Sequence, residues 1–576
     1  MYMVIIMAYF LKKSKIKERL YLQIYESFYD PKRGHTAHRS YRPVGYEDNL
    51  IKEGIENPIE HFQKEVDELN KKSNEEKEVK KTKLIGKSTP EKYVGHFPIK
   101  AINDGLNVKE DLDFLQSNRD FEFSVFDTIS SLIYARLIKP LSKTKTFHDV
   151  IPLLFEDYSF SSSQMYSAVQ FAGSEYQKII EIYNAAISRK YKFDTSKTFF
   201  DCTNFYFEID KEDELRRKGP SKENRKDPIV GMGLLLDANQ IPMGMKIFPG
   251  NKSEKPVIGA VINDLKQRQS ITGRTIRVAD KGLNTADNIN ETLKQNDGYI
   301  FSKSVKMLSS KEKTWVLLNQ DYKDVLDEDG NVKFRIKECV DTFPYKVMNS
   351  FGKKIEKSFT EKRIVSYNPS LAKKKIAEIN KQVDKALRLS HAANKKTQYG
   401  DSAKYVNFIT ADSESGELNT SIYASLNEDK INEDKKLAGY NMIVTSETNM
   451  SSLDLYSTYH NLWKIEESFR VMKSYLDARP VYARTEESII GHFLICYLSV
   501  VLLRILEVKI FEDEYCSGEL IEFIRSFKVV QTSARKYINI TKSSKFIDDL
   551  SFMTNLPVNV YHLNNTQIKK MLNHRF

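Results

Sequence analysis

"TSKTFFDCTNFYFEI", residues 195–209, marks the point where the chain changes period. Its density of Phe, Tyr and Thr predicts a strand. Downstream, "PIVGMGLLLDANQIPMGMKIFPG" (228–250) reads as two strands around a "DANQ" turn, and "SEKPVIGAVINDLKQRQ" (253–269) as an amphipathic helix with a Ser cap and an early Pro. "GRTIRVADKG" (273–282) is a short strand ending in a turn, "LNTADNINETLKQNDG" a helix, and "GYIFSKSV" a further strand. Residues 305–440 break the rhythm with β-like pieces ("NVKFRIKECVDTFPYKV", "KYVNFITA") and a basic helix candidate, "SLAKKKIAEINKQVDKALRL". "GYNMIVTSE" (439–447) is then a strand, followed by a helix at "YHNLWKIEESFRVMK" (459–473). With 305–440 set aside, the order is β-β-β-α-β-α-β, a gap, then β-α. That order suits an α/β, RNase H-like mixed sheet carrying a large β-rich insertion, and by itself also admits other mixed sheets.

Upstream of the opening stretch, residues 120–190 are helical in pattern, with "SSSQ" as an N-cap. The first fifty residues read as strands flanking a "DPKRG" hairpin turn. Residues 62–83 are highly charged and predict an exposed helix or linker. The expected divisions are an N-terminal β-rich region with a charged linker (1–115) and a helical, DNA-binding candidate (116–194). A catalytic core in two parts (195–304 and 439–510) flanks the β-rich insertion (305–438), and a helical C-terminal region (511–576) ends the chain.

Lys and Arg number 89 against 78 Asp and Glu in 576 residues, a net charge of +11. An excess of this sign favours a polyanionic partner. The four cysteines form no CxxC pair and have no His at zinc spacing, so they read as reduced thiols in an intracellular, cytoplasmic protein. The opening "MYMVIIMAYFLKK" is too short to span a bilayer, and Met7 is an alternative start. "GHFLICYLSVVLLRILE" (491–507), interrupted by His492 and Arg504, predicts a buried core helix and no membrane span.

Phosphodiester chemistry needs its developing charge neutralised and an oxygen nucleophile activated. Divalent metal ions held by a few carboxylates on rigid elements do both. Asp201, inside an apolar and aromatic strand, carries a charge that costs free energy without a partner; taken alone, an outward-facing or turn-capping residue is the favoured reading. Asp280 ends a strand before a Lys-Gly turn, where a backbone-bonding turn residue is an alternative. Asp237 and Asp287 have purely structural readings, a hairpin turn and an exposed helix. On a helical wheel of about 100° per residue with Tyr459 at zero, Glu466 falls near −20°, Arg470 near +20° and Lys473 near −40°. Leu462, Ile465, Phe469, Met472 and Leu476 fill an adjacent apolar arc. The polar stripe thus borders the buried face. Glu466–Arg470 pairing on a solvated flank would explain those two residues, but not Tyr459 and Lys473.

These residues resemble the DDE transposases of bacterial insertion sequences, in the group with a β-rich insertion and the signature Tyr-x2-Arg-x3-Glu-x6-Lys. Tyr459, Glu466 and Lys473 stand at those spacings, while the Arg position holds Leu462. "DCTN" and "VADKG" look like the first and second Asp motifs, and the resemblance covers roughly 195–510. It implies that Asp201, Asp280 and Glu466 bind the catalytic metal, Mg²⁺ with Mn²⁺ able to substitute. Tyr459 and Lys473 would contact phosphates, and Arg470, close in angle, would take over the contact missing at Leu462. Trp315 is a candidate to stack on an extruded base, though a core Trp is the favoured reading. The implied partners are double-stranded DNA, as transposon ends and target, and a second copy of the chain. The basic segments "RRKGPSKENRK" (216–226) and "LAKKKIAEINK" could track a DNA backbone. A metal-dependent nuclease without strand transfer, a catalytically inactive DNA-binding relic and a basic structural protein of the nucleoid remain as rivals.

Overall fold

The computed structural model describes residues 6–30, 35–82, 91–223, 226–268, 270–349, 351–390, 396–410, 422–479, 483–533 and 535–576. The chain divides into two compact units, Met1–Pro90 and Glu91–Phe576. Residues 91–115, grouped by sequence with the N-terminal region, therefore belong to the larger unit. Their helices Phe97–Gly105 and Lys109–Gln116 bury Phe97, Ile99, Ile102 and Leu112 in its core.

The first unit is an antiparallel sheet of β1 (Ile6–Ile16), β2 (Arg19–Asp30) and β3 (His35–Tyr46), with helices Glu47–Lys52 and Pro58–Thr82. Leu22, Leu50 and Phe62 form its small core. Four of the five residues of the "DPKRG" turn, 31–34, lie outside the described residues.

In the second unit the strands are β4 (Glu91–Tyr93), β5 (Lys197–Tyr206), β6 (Ile229–Leu236), β7 (Pro242–Pro249), β8 (Ile276–Ala279) and β9 (Gly298–Lys303). There follow β10 (Lys323–Leu326), β11 (Val332–Met348), β12 (Lys354–Tyr367), β13 (Val406–Thr410), β14 (Ile422–Leu426) and β15 (Tyr440–Thr445). The last are β16 (Lys528–Ser533), β17 (Lys536–Asn539) and β18 (His562–Asn564). A nine-stranded mixed sheet runs β10-β11-β12-β15-β9-β8-β5-β6-β7. Within it β5, β8 and β9 are parallel neighbours. The order of elements from 195 to 304 is the expected one, as is the strand after 439 with helix following it.

Residues 305–438 differ from expectation. Their long strands continue the central sheet, because β12 pairs antiparallel with β15 from Lys362↔Thr445 to Tyr367↔Tyr440, and β11 and β10 add outside it. Among the described residues of this stretch only β13 and β14 form a separate sheet, and the helix Pro369–Ser390 packs against β14. The C-terminal region also departs from the helical expectation. β16, β17 and β18 join β4 in a four-stranded sheet beside the helices Ser517–Ser526, Lys545–Thr554 and Asn565–Leu572. "KVVQTS" supplies β-branched residues for one arm of its hairpin.

Side-chain alternation splits the core over the two faces of the large sheet. Phe199, Phe205, Met232 and Val278 pack on one face with the helices Val125–Ile138, Ser162–Ser174 and Glu486–Ile505. Phe200, Leu235 and Phe301 pack on the other with the helices Val257–Gln267 and Ala286–Lys294. Ser161 and Gln164 form a capping box at the "SSSQ" start. The helix from Glu486, long and apolar enough by composition to cross a membrane, has 94% of its apolar window buried inside the protein. It approaches the helix Ser162–Ser174 backbone to backbone: a Cβ on Gly173 would lie 1.7 Å from the Glu487 carbonyl oxygen, and one on Gly491 2.0 Å from that of Val169.

Candidate functional site

Register places the first two candidate acids together. Phe200 pairs with Ala279, and Ala279 with Phe301, so Asp201, Asp280 and Ser302 occupy the next position along three parallel neighbours. The alternation that sends Phe199 and Val278 to one face sends Asp201 and Asp280 to that same face. Asp280 Oδ1 accepts from Ser302 Oγ at 3.0 Å and from Tyr459 Oη at 3.1 Å. Burial pushes the Asp201 carboxyl up to about 6, with Glu254 and Asp280 adding to the rise and Lys222 and the Cys202 N–H opposing it. Burial and the Asp280 charge raise Tyr459 as well, keeping its hydroxyl a donor.

The basic segment 216–226 supplies the counter-charge. Lys222 donates to the Cys202 carbonyl and lies 4.0 Å from Asp201 Oδ1 and 3.8 Å from Glu254 Oε1. Asn204 pins the segment, donating to the Pro220 carbonyl at 3.2 Å and accepting from the Lys222 N–H at 3.4 Å.

The helix carrying the third acid is not continuous. Ser452–His460 ends, Trp463–Arg470 begins after a tightened turn, and Val471–Tyr475 is π-helical. The Leu462 N–H bonds Tyr459 and the Ile465 N–H bonds Leu462, three residues back, whereas the Leu476 N–H reaches five residues back to Val471. Overwinding followed by unwinding spoils a uniform 100° wheel. Tyr459 turns in to Asp280. Lys473 also turns in, 15% exposed, with Nζ 3.3 Å from Glu223 and 5.4 Å over the Phe205 ring on β5. Its pKa is lowered by burial. Arg470 is 61% exposed and pairs with Glu467 at 3.1 Å, and among the described residues it engages neither Glu466, its partner in the solvated-flank alternative, nor the strand ends. Leu462 is buried among core side chains.

Glu466 is exposed and has no hydrogen bond or ion pair among the described residues. Among those residues no three Asp, Glu, His or Cys side chains converge as a metal-binding group. The structure thus brings Asp201 and Asp280 together with Tyr459, Lys222 and Lys473, and leaves Glu466 on the helix above them. The chemistry of the two aspartates fits a hard divalent cation: neighbouring oxygen donors, one of them held up in pKa by burial and by its acidic neighbours.

Sequence reasoning missed Arg479, Glu223 and Glu254. Arg479 pairs with Glu223 and stacks 5.3 Å over Tyr206, giving the strand end a guanidinium that the Leu462 position lacks. Lys222 and Glu223 lie in a segment whose charge was legible; nothing in the sequence marks Glu254. Trp315 is half-buried against the core with Lys337 Nζ 4.8 Å over its ring, while Trp463 is 53% exposed.

In comparison with known families, a family model described as a transposase DDE domain matches residues 194–502. No curated protein matches the chain. The matched span includes both aspartates, the 216–226 segment, Tyr459, Glu466 and Lys473.

Proposed function

The chain belongs to the DDE transposase family, and from that premise we propose that it cleaves DNA at the terminal inverted repeats of an insertion sequence and joins the 3′-OH ends to target DNA. The observation that carries this reading is that Asp201 on β5 and Asp280, directly after β8, hold the same position along adjacent parallel strands. In parallel sheets, sites gather at the C-terminal strand ends because the loops there are free to vary while the strands stay fixed. The core read this way is RNase H-like, split by residues 305–438.

Asp201, Asp280 and Glu466 are the proposed ligands of Mg²⁺, with Mn²⁺ able to substitute. Glu466 lies midway in sequence between Tyr459, which touches Asp280, and Lys473, which stands over β5. When bound, the metal supplies charge neutralisation at the phosphorus and at the attacking and leaving oxygens. Tyr459 directs its hydroxyl at the edge of the aspartate pair and orients Asp280. Lys473 and Arg479 present cations to DNA phosphates; Glu223 holds them meanwhile and is released when phosphate replaces it. Lys222 spans Asp201 and Glu254 as a movable monocation. Water is the first nucleophile and the freed DNA hydroxyl the second, so no covalent bond between protein and DNA is required. Holding two ends implies at least a dimer on DNA.

The test is a plasmid carrying the gene with its flanking inverted repeats, incubated with purified chain and Mg²⁺. Cleaved ends joined to a second plasmid support a transposase. Cleavage without joining gives the nuclease reading, and end binding with no cleavage in any divalent metal gives the inactive relic.

A further inference from the structure

Away from the strand ends, a cavity of about 850 Å³ opens between the end of the helix Val125–Ile138, the helix Ser162–Ser174 and the start of the helix Glu486–Ile505. Its volume is that of a small-molecule site, and its lining is cationic. Arg136, Lys143, Lys145 and Arg484 face a single carboxylate, the exposed Asp477. Arg136 is only 6% exposed, yet it donates one hydrogen bond, to the Leu476 carbonyl at 3.4 Å, and has no carboxylate partner among the described residues. Its place in the last turn of its helix favours a cation, but one helix end does not neutralise several.

Lys143 is equally short of counter-charge. Its ammonium donates to His492 Nδ1 at 3.1 Å, and His492 Nε2 bonds the Ala478 carbonyl at 3.2 Å. A carbonyl only accepts, so the proton sits on Nε2 and Nδ1 is left as a neutral acceptor. Burial and nearby Arg136 push Lys143 down to about 7. At the rim Tyr166 is 42% exposed, its hydroxyl 3.0 Å from Thr144 Oγ1. A buried, unpaired guanidinium beside a second cation selects phosphate, and a fixed exposed ring offers a face for a base.

We propose that this cavity is a second nucleotide site, in which Arg136, Lys143 and Arg484 hold a phosphate and Tyr166 stacks on the attached base. The shared chemistry is a nucleotide phosphate, drawn either from a DNA strand or from a free mononucleotide; the first source rests on the proposed DNA-cleaving function. The loop 476–479 links the cavity to the strand ends, since Arg136 bonds Leu476 and Arg479 bonds Glu223.

The test is trace acetylation of the full chain near neutral pH, with the Lys143 peptide quantified by mass spectrometry, and duplex binding followed in parallel by fluorescence anisotropy. Lys143 is expected to react readily without ligand and to be protected by a short duplex or by dAMP; which of the two protects identifies the source. Arg484→Gln, at an exposed position, is expected to raise the ligand concentration needed for protection about tenfold, and Lys178→Gln, exposed and outside the cavity lining, to leave it unchanged. If the duplex binds and Lys143 stays reactive with both ligands, the second site is wrong and the DNA reading stands. If dAMP protects and no duplex binds, the site stands and the DNA reading falls.

Discussion

Two aspartates in the same sheet, Asp297 and Asp201, are treated in opposite ways. Asp297, next to the N-terminal end of β9, is fully satisfied. It accepts from Lys266 at 2.5 Å, from Arg277 at 2.6 Å and 3.0 Å, and from the Thr275 N–H at 3.2 Å. Asp201, on β5 toward the other end of the sheet, has a lysine at 4.0 Å as its nearest cation and a second carboxylate in the neighbouring position. The fold can bury a carboxylate completely when it supplies the partners. That it withholds them at Asp201 marks a site kept open for a cation from outside, at a cost in stability.

The comparison breaks first on activity. Asp201→Asn or Asp280→Asn should lower end cleavage by about 10³-fold or more with DNA binding retained, measured by gel assay and anisotropy. Unchanged cleavage would remove the site. Next, Asp297→Ala strands the buried Arg277 and should cost about 3–5 kcal/mol of stability, read by urea denaturation, with little change in the chemistry of protein that remains folded.

The third prediction is the opposite sign at Asp201. Its pKa of about 6 in the folded state lies above the ordinary 3.8. Between those values the folded state holds a proton that the unfolded state has lost, so stability falls as pH rises through the window. In chelator, Asp201→Asn should therefore stabilise the protein by about 3 kcal/mol at pH 7, and the gain should vanish below about pH 4. A destabilised variant at pH 7 would mean that Asp201 is structurally satisfied after all.

Smaller effects sharpen the contrast between inward and outward cations on the broken helix. Lys473→Met should weaken cleavage about tenfold to a hundredfold and flatten the salt dependence of DNA binding. Arg470→Ala, exposed and paired only with Glu467, should change stability by less than about 0.5 kcal/mol and leave cleavage unchanged; a loss equal to that of Lys473→Met would restore the sequence-based role for Arg470.

Much of this was legible because strand alternation and register follow from composition. The run of β-rich and helical segments from 195 to 304 predicted the strands β5 to β9, Asp201 stood out as a charge inside an apolar strand, and Asp280 as the residue that ends one. The wheel over 459–473 misled because it assumed one uniform helix. Nothing in "HNLW" announces a tightened turn, and nothing in "VMKSY" a π turn, so the wheel sets Arg470 on one stripe with Tyr459 and Lys473 and does not reach Arg479. The helical C-terminus failed for a related reason: β16 to β18 are short, and they form only because β4, more than 400 residues earlier, pairs with β16 from Glu91↔Val530 to Tyr93↔Lys528.

By itself the sequence determined the period of each segment, the identity of the two strand-borne aspartates and the spacing of Tyr459, Glu466 and Lys473, since these depend on local chemistry. Only the tertiary structure decided that residues 305–438 would extend the sheet, that Lys222 and Arg479 would stand at the strand ends, and that Arg136 and Lys143 would share a cavity. Those outcomes depend on pairing and packing between residues far apart in the chain, where the free energy belongs to the contact and to neither partner alone.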